Sequence, residues 1–346
     1  MDASVCRILD ANLNRAREAL RVIEDYARFA CDDADAAERV KYARHGLRRI
    51  VQALGPDKLL AARDILNDVG RETKTVTELE RGSTEDVLRA AFARLTEAAR
   101  VLGEYSKLIA PQAAEAAEKL RYQAYELEQC VVLRAALRAR FRRVRLYVIL
   151  TEALCKHGWY QTAEAVLRGG AGCLQLREKD LPDGELLQWA RRLRQLTKEH
   201  DALLAINDRP DIARLCAADI VHVGQEDIPV ADARRIAGAN LLVGKSTHTP
   251  EQFDAALAEN PDYLAVGPMF ATTTKPQKHI AGPETLRQVS ARTELPLVAI
   301  GGITAANASE VVEAGAGCIC ACSAVIGADD VTQAAAQLAA TVKQKK

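Results

Sequence analysis

The sequence predicts an α/β protein: a C-terminal (β/α)8 TIM barrel preceded by an all-α N-terminal domain with an internal repeat. Three observations predict it. Residues up to about 140 are rich in Ala, Arg, Glu and Leu and poor in glycine, a composition that favours unbroken helix. From about Arg145 onward, short β-rich runs alternate with amphipathic stretches long enough to be helices. Eight such strand–helix units fit in the remaining length, as a compact barrel requires. An open doubly wound sheet is the alternative. It would favour five or six strands and a Gly-rich first turn, and no G-x-G-x-x-G follows Leu146–Leu150. The expected domains are residues 1–138 and 139–346.

Bulk properties narrow the function. The 346 residues are 49% hydrophobic, enough for two cores, and Lys+Arg and Asp+Glu each number 47. A balanced charge argues against a general binder of nucleic acid or membrane surfaces. Nine cysteines without a C-x-x-C pair suit a reducing cytoplasm better than a disulfide framework. The start, Met1-Asp2-Ala3-Ser4, lacks a signal-peptide pattern, and no apolar run is long enough to span a bilayer. The expected partners are therefore small molecules, with a second copy of the chain (a homo-oligomer) the only protein partner considered.

In the first half, Arg15, Glu18, Ala19, Arg21, Val22 and Tyr26 recur at one fixed offset as Arg94, Glu97, Ala98, Arg100, Val101 and Tyr105. Ala36-Ala37-Glu38 with Tyr42 recurs as Ala116-Ala117-Glu118 with Tyr122, one residue out of phase. A shared register over two helices predicts a duplicated helical unit with approximate two-fold symmetry. Asn14, Arg17, Glu18, Arg21 and Asp25 fall three or four apart, one polar stripe on a helix. The stripe either grips phosphate and metal or forms an interhelical ion-pair network. The join from Arg134 to Arg145 carries six arginines, read as a solvated helix or linker surface or as a patch for an anion.

The second half predicts strands at Leu146–Leu150, Cys173–Lys179, Leu203–Asp208, Ile220–Gly224, Leu241–Ser246, Tyr263–Pro268, Leu297–Gly302 and Cys318–Val325. Active residues of barrels lie at the C-terminal strand ends. Alternation puts Gln175, Arg177 and Lys179 on one face of strand two, suited to a polyanion such as pyrophosphate, or else salt-bridged at the surface. Strand three ends in Asn207 and Asp208, and strand four leads to His222, Gln225 and Asp227. The two aspartates either hold Mg2+ together or serve as helix N-caps. His222 contacts a substrate ring or is a satisfied interior histidine. Thr272, Thr273, Thr274 and Lys275 offer donors and a charge for phosphate oxygens, or form an ordinary polar loop. Gly301 and Gly302, with Cys322 and Ser323 after strand eight, match the usual barrel phosphate site. Cys318, Cys320 and Cys322 share one face and read as small core residues rather than a metal cluster.

Over the second half these motifs resemble the thiamine-phosphate synthase family: Gln-Leu-Arg-Glu-Lys at 175–179, Ile-Asn-Asp at 206–208, His-Val-Gly-Gln-Glu-Asp at 222–227, Ser-Thr-His-Thr at 246–249, Gly-Pro through Thr-Thr-Thr-Lys at 267–275 and Ile-Gly-Gly-Ile-Thr at 300–304. The resemblance implies condensation of hydroxymethylpyrimidine diphosphate with hydroxyethylthiazole phosphate, releasing pyrophosphate. It implies that Gln175, Leu176, Arg177, Glu178, Lys179, Asn207, Ser246 and Lys275 hold the pyrimidine diphosphate. Asp208 and Asp227 then bind Mg2+, and Thr272, Thr273, Thr274, Gly302, Cys322 and Ser323 hold the thiazole phosphate. Arg177, Lys179 and Lys275 are the expected catalytic cations. The first half resembles the helical domain fused upstream of this synthase in some bacteria, on Asn-Leu-Asn-Arg-Ala-Arg-Glu at 12–18, Arg-Val-Ile-Glu-Asp at 21–25, Asp-Val-Gly at 68–70 and Leu-Arg-Tyr at 120–122. Stand-alone relatives of that domain imply phosphorylation of hydroxymethylpyrimidine phosphate; an assembly role is the alternative. A non-catalytic regulatory barrel with a helical assembly domain is the competing reading of the whole chain.

Overall fold

A computed structural model describes residues 2–31, 33–65, 68, 80–238, 240–272 and 280–342. The chain divides into two compact units, Met1–Ala135 and Ala136–Lys346. That division, like the boundary expected at 138/139, falls inside one long helix.

The first unit is helical throughout its described residues. Its helices are α1 (Ala3–Asp25), α2 (Ala34–Leu54), α3 (Pro56–Ala61), α4 (Thr84–Ser106) and α5 (Pro111–Phe141), with a π-helical turn at Tyr26–Ala30 after α1. Short polar side chains fix the starts: Asp2, Asp33 and Ser83 accept from the backbone N–H of Ser4, Ala36 and Asp86. Gly55, at φ 85°, ends α2 and lets Pro56 open α3. The repeat is physical. Leu9, Leu13, Ala16 and Ile23 of α1 are buried, and so are Leu88, Phe92, Leu95 and Leu102 of α4 at the offset that relates Arg15 to Arg94. These apolar faces lie in one hydrophobic core, which α2 and α5 also line.

The arginine-rich join is helix with Arg142 and Arg143 exposed beyond its end, but two of its arginines are not solvated surface. Residues 134–141 continue α5 rather than forming a linker. Arg134 is buried and donates to Asp33 at 2.7 Å. Arg138 donates to the fully buried Asp262 at 2.7 Å, and Arg234 meets the other oxygen of that carboxylate at 3.0 Å. These arginines are structural ion pairs inside each unit.

In the second unit, eight parallel strands close into a barrel in sequence order: β1 (Leu146–Leu150), β2 (Cys173–Leu176), β3 (Leu203–Asn207), β4 (Ile220–Val223), β5 (Leu242–Thr247), β6 (Tyr263–Val266), β7 (Leu297–Ile300) and β8 (Cys318–Ala321). Helices α6 (Trp159–Arg168), α7 (Asp183–Glu199), α8 (Pro210–Leu215), α9 (Val230–Ala237), α10 (Pro250–Ala258), α11 (Gly282–Ser290), α12 (Ala308–Glu313), α13 (Ser323–Ile326) and α14 (Val331–Thr341) follow the strands. The strands are buried on both faces, which is why they are near-continuous apolar runs. Alternation sorts them into two layers. Leu146, Val148, Leu174, Leu176, Leu204 and Val221 face the helices. Tyr147, Ile149, Cys173, Ala205, Ile220, Tyr263, Val298, Cys318 and Cys320 fill the interior, where Leu137 and Phe141 of α5 join them. Cys318 and Cys320 are thus small core residues, as expected, and all nine cysteines are free. Among the described residues no helix is long and apolar enough to cross a membrane.

Candidate active site

The C-terminal ends of β2, β3 and β4 bring the two aspartates together. Asp208 follows β3 in the left-handed region at φ 59°, held there by its N–H donating to the His222 carbonyl at 2.8 Å. This conformation is uncommon for a residue with a Cβ, although aspartate is among those that adopt it most readily. Asp227 is anchored by the Gly224 N–H donating to Oδ2 at 2.7 Å. The two carboxyls lie within hydrogen-bonding reach of each other. Burial first, and then the neighbouring Asp227, push the Asp208 carboxyl up to about 6, while Lys179 and Asn207 pull the other way. Lys179 Nζ is 3.6 Å from Asp208 Oδ2 and remains largely exposed.

A crowded anionic pair with a solvated lysine beside it could take a divalent cation. Among the described residues no cluster of three or more His, Cys, Asp or Glu side chains could hold a metal. Asp208 and Asp227 are the pair at this mouth that could hold one, with water and phosphate oxygens left to complete the shell, as Mg2+ prefers.

The cations of the QLREK segment diverge. β2 ends at Leu176, before the expected Lys179, so strand alternation does not extend to the lysine. Arg177 still bonds the Leu150 carbonyl through its N–H. Its guanidinium sits close enough to Cys322 and Glu178 to favour their anions, although burial pushes the Cys322 thiol up to about 11. Lys179 turns to Asp208 instead. One positive charge thus serves the β8 side of the mouth and the other the β3–β4 side. Glu178 accepts from the Glu152 N–H at 2.6 Å, bracing the loop after β1. Leu176 packs in the outer layer between strands and helices, so its side chain does not face the mouth.

Below the mouth lies a polar layer that sequence reasoning missed in part. Gln175 Nε2 donates to Tyr147 Oη at 2.8 Å, and Tyr147 Oη is 3.2 Å from Tyr263 Oη. Tyr263 Oη is 2.9 Å from His222 Nδ1, and His222 Nε2 is 2.8 Å from Ser246 Oγ. Gln225 caps the Ser246 carbonyl. Burial pushes the His222 imidazole down to about 4, so it is neutral at physiological pH. Neither tyrosine was singled out in the sequence. The available signal was their inward phase on β1 and β6.

On the far side, Gly301 and Gly302 turn the chain after β7 with φ of 97° and 68°. A side chain at residue 302 would collide with the carbonyl oxygens of Phe270 and Ala271 at 2.7 Å. Asn307 Nδ2 donates to the Gly302 carbonyl at 3.0 Å, tying the turn to the segment leading into α12. Cys322 is half-buried and Ser323 exposed at the end of β8. Thr272 is half-buried after β6; Thr273, Thr274 and Lys275 lie outside the described residues.

Asn14, Arg17 and Arg21 of the stripe expected on α1 have polar partners on the same helix. Arg17 donates to Asn14, while Arg21 and Arg44 both reach Glu24, at 3.2 and 2.6 Å. Arg63 grips the buried Asp10 with two bonds of 2.7 and 2.8 Å.

Known proteins resemble both units of the chain. The family model described as thiamine monophosphate synthase matches residues 146–325, and the ThiD2 family model matches residues 7–130. A thiamine-phosphate synthase of Synechocystis is 41% identical, covering 97% of this chain and 95% of the relative. One from Gloeobacter violaceus is 42% identical over 94% and 93%. The solved thiamine phosphate pyrophosphorylase of Pyrococcus furiosus superposes with a TM-score of 0.55 at 38% identity, covering 58% of this chain and 97% of that one. A barrel match of that extent, joined to relatives alike from end to end, places the chain in the thiamine-phosphate synthase family of transferases.

Proposed function

We propose that the barrel joins 4-amino-2-methyl-5-hydroxymethylpyrimidine diphosphate to 4-methyl-5-(2-hydroxyethyl)thiazole phosphate, giving thiamine phosphate and pyrophosphate. The observation that carries this reading is the convergence of Asp208 and Asp227 beside Lys179 at one mouth. The bond from the pyrimidine methylene to the diphosphate oxygen breaks, and the electron-rich aminopyrimidine disperses the positive charge left on the methylene. The thiazole nitrogen then forms the new C–N bond. The nitrogen attacks with its own lone pair, so no general base is needed. Lys179 and Arg177 orient the diphosphate and offset the negative charge that grows on it as it leaves. Mg2+ held by Asp208 and Asp227 would supply Lewis-acid neutralisation of that leaving group. Gln175, Asn207 and Ser246 position the pyrimidine half. Gly302 and the turn after β8 leave room for the thiazole phosphate to approach the backbone. The half-polar, closed floor built by Tyr147, Tyr263 and His222 excludes bulk water below the reacting carbon. The retained cations and carboxylates favour catalysis over a regulatory barrel, which needs no leaving-group apparatus.

For the helical unit, the ThiD2 match favours phosphorylation of the pyrimidine monophosphate, the reaction that would supply the barrel's substrate. The assay that tests both readings supplies the whole chain with the pyrimidine monophosphate, thiazole phosphate, ATP and Mg2+. Thiamine phosphate formed from the monophosphate supports both activities. Product formed only from the diphosphate restricts the helical unit to an assembly role. No product from either refutes the synthase reading.

A further inference from the structure

The polar layer under the mouth has a direction, and the direction has a consequence. Five side chains on five strands take part: Gln175, Tyr147, Tyr263, His222 and Ser246. Each tyrosine hydroxyl owns one proton and a neutral imidazole owns one N–H. Gln175 enters as the donor, placing its amide proton on Tyr147 Oη. Tyr147 then gives its own proton onward to Tyr263 Oη at 3.2 Å, the nearest oxygen on the side away from the Gln175 N–H. Tyr263 in turn gives its proton to His222 Nδ1. That nitrogen is therefore bare, and Nε2 carries the hydrogen, which it donates to Ser246 Oγ. Ser246 is half-buried at the mouth, and one of its two lone pairs accepts from the imidazole. Its own hydroxyl proton is left to point away from His222.

We infer that Tyr263 is a positioning residue that holds His222 as the Nε2–H tautomer and so makes Ser246 a hydrogen-bond donor toward the ligand. The ring is built into its place. A Cβ at residue 244 would lie 2.1 Å from Tyr263 Cζ, so only glycine leaves room for it. The ring also packs against Phe141, with centroids 4.4 Å apart at 31°. Backbone on one side and an aromatic on another fix the hydroxyl between Tyr147 and His222. In the opposite tautomer Nε2 would be bare. Ser246 would then spend its proton on the imidazole and meet the ligand with lone pairs alone. An acceptor there would repel the ring nitrogens of an aminopyrimidine, so one hydroxyl buried on β6 sets what β5 recognises. The ligand named here rests on the synthase reading; the proton order does not.

The test pairs 15N NMR of histidine-labelled whole protein with steady-state kinetics. The protein has six histidines, and a His222→Asn spectrum identifies the signal that belongs to residue 222. In the wild type, coupling patterns that place the hydrogen on Nε2 are expected. In Tyr263→Phe the Nδ1 acceptor loses its donor, and the signal should shift toward the Nδ1–H form or a mixture. The same variant should raise KM for the pyrimidine diphosphate about tenfold, the loss of one ligand hydrogen bond, with kcat changed far less. Tyr147→Phe leaves Tyr263 free to donate and should retain the Nε2–H signature. A wild-type His222 hydrogen found on Nδ1 overturns the inference, as does a Tyr263→Phe protein with unaltered tautomer or unaltered KM. Should that variant fail to fold, the wild-type spectrum still decides. Failure of the synthase reading looks different: no product, with the Nε2–H signature intact.

Discussion

Replacing Asp208 by Asn should stabilise the metal-free protein at neutral pH while removing its response to Mg2+. A carboxyl that titrates near 6 in the fold and at 3.8 when unfolded is disfavoured as a folded anion by roughly 3 kcal/mol. The folded value lies above the unfolded one. Below pH 3.8 both states are protonated and nothing is lost. The destabilisation grows as pH rises from 3.8 and is complete above about 6. Asn carries no charge to bury or to set against Asp227, and it tolerates φ 59° better than most residues. The pull of Lys179 at 3.6 Å is already contained in that value, but the Asp208 side chain is 24% exposed and solvent screening takes off about 1 kcal/mol. The net gain is about 2 kcal/mol, or about 4–8 °C in the barrel's Tm. Thermal unfolding followed by circular dichroism, in EDTA and in Mg2+, at pH 4 and pH 8, measures it. The wild type should rise in Tm with Mg2+ at pH 8 and hardly respond at pH 4. Asp208→Asn should start higher in EDTA at pH 8 and not respond to the cation. A variant no more stable than wild type in EDTA at pH 8, or one with its Mg2+ response intact, would refute the reasoning.

Lys179→Ala should leave Tm unchanged, because the side chain is mostly solvated, and lower kcat/KM about 10²-fold through the leaving group, measured at saturating thiazole phosphate. Gly302→Ala forces a Cβ against two carbonyl oxygens at positive φ; a loss of about 1–3 kcal/mol in denaturant titration and a raised KM for the thiazole phosphate are expected. Arg134→Ala strands Asp33, the N-cap of α2, as a buried charge, and should cost the helical unit about 3–5 kcal/mol in urea unfolding while the barrel's transition stays in place.

The barrel was legible because its strands are buried on both faces, so each run of Val, Ile, Leu and Ala stands out from its amphipathic helix. Strand ends were less so. The stretch Cys173–Lys179 reads as one strand, yet pairing stops at Leu176, since the polar residues that follow are held by loop contacts that sequence does not display. Asp208 and Asp227 could be brought together from topology alone: adjacent parallel strands must deliver their ends to one rim. Which way Arg177 and Lys179 turn could not, because their surroundings come from different parts of the chain: Arg177 lies near Cys322 after β8, and Lys179 reaches Asp208 after β3. His222 stayed undecided for the same reason. Its two partners, Tyr263 and Ser246, come from two other strands, and only closure of the barrel brings them onto its two nitrogens. Arg134 and Arg138 of the join departed from the surface reading because helical periodicity does not say that Asp33 and Asp262 wait beneath.

That the layer under the mouth is stitched from β1, β2, β4, β5 and β6 bears on how this enzyme could ever change the ring it accepts. A wholly greasy layer can drift one residue at a time, each swap leaving a small void or a small squeeze. Here any lone exchange orphans a neighbour's proton or lone pair away from water, so variants that admit a different heterocycle should emerge as coordinated sets spread over several strands, passing through poorly folded intermediates.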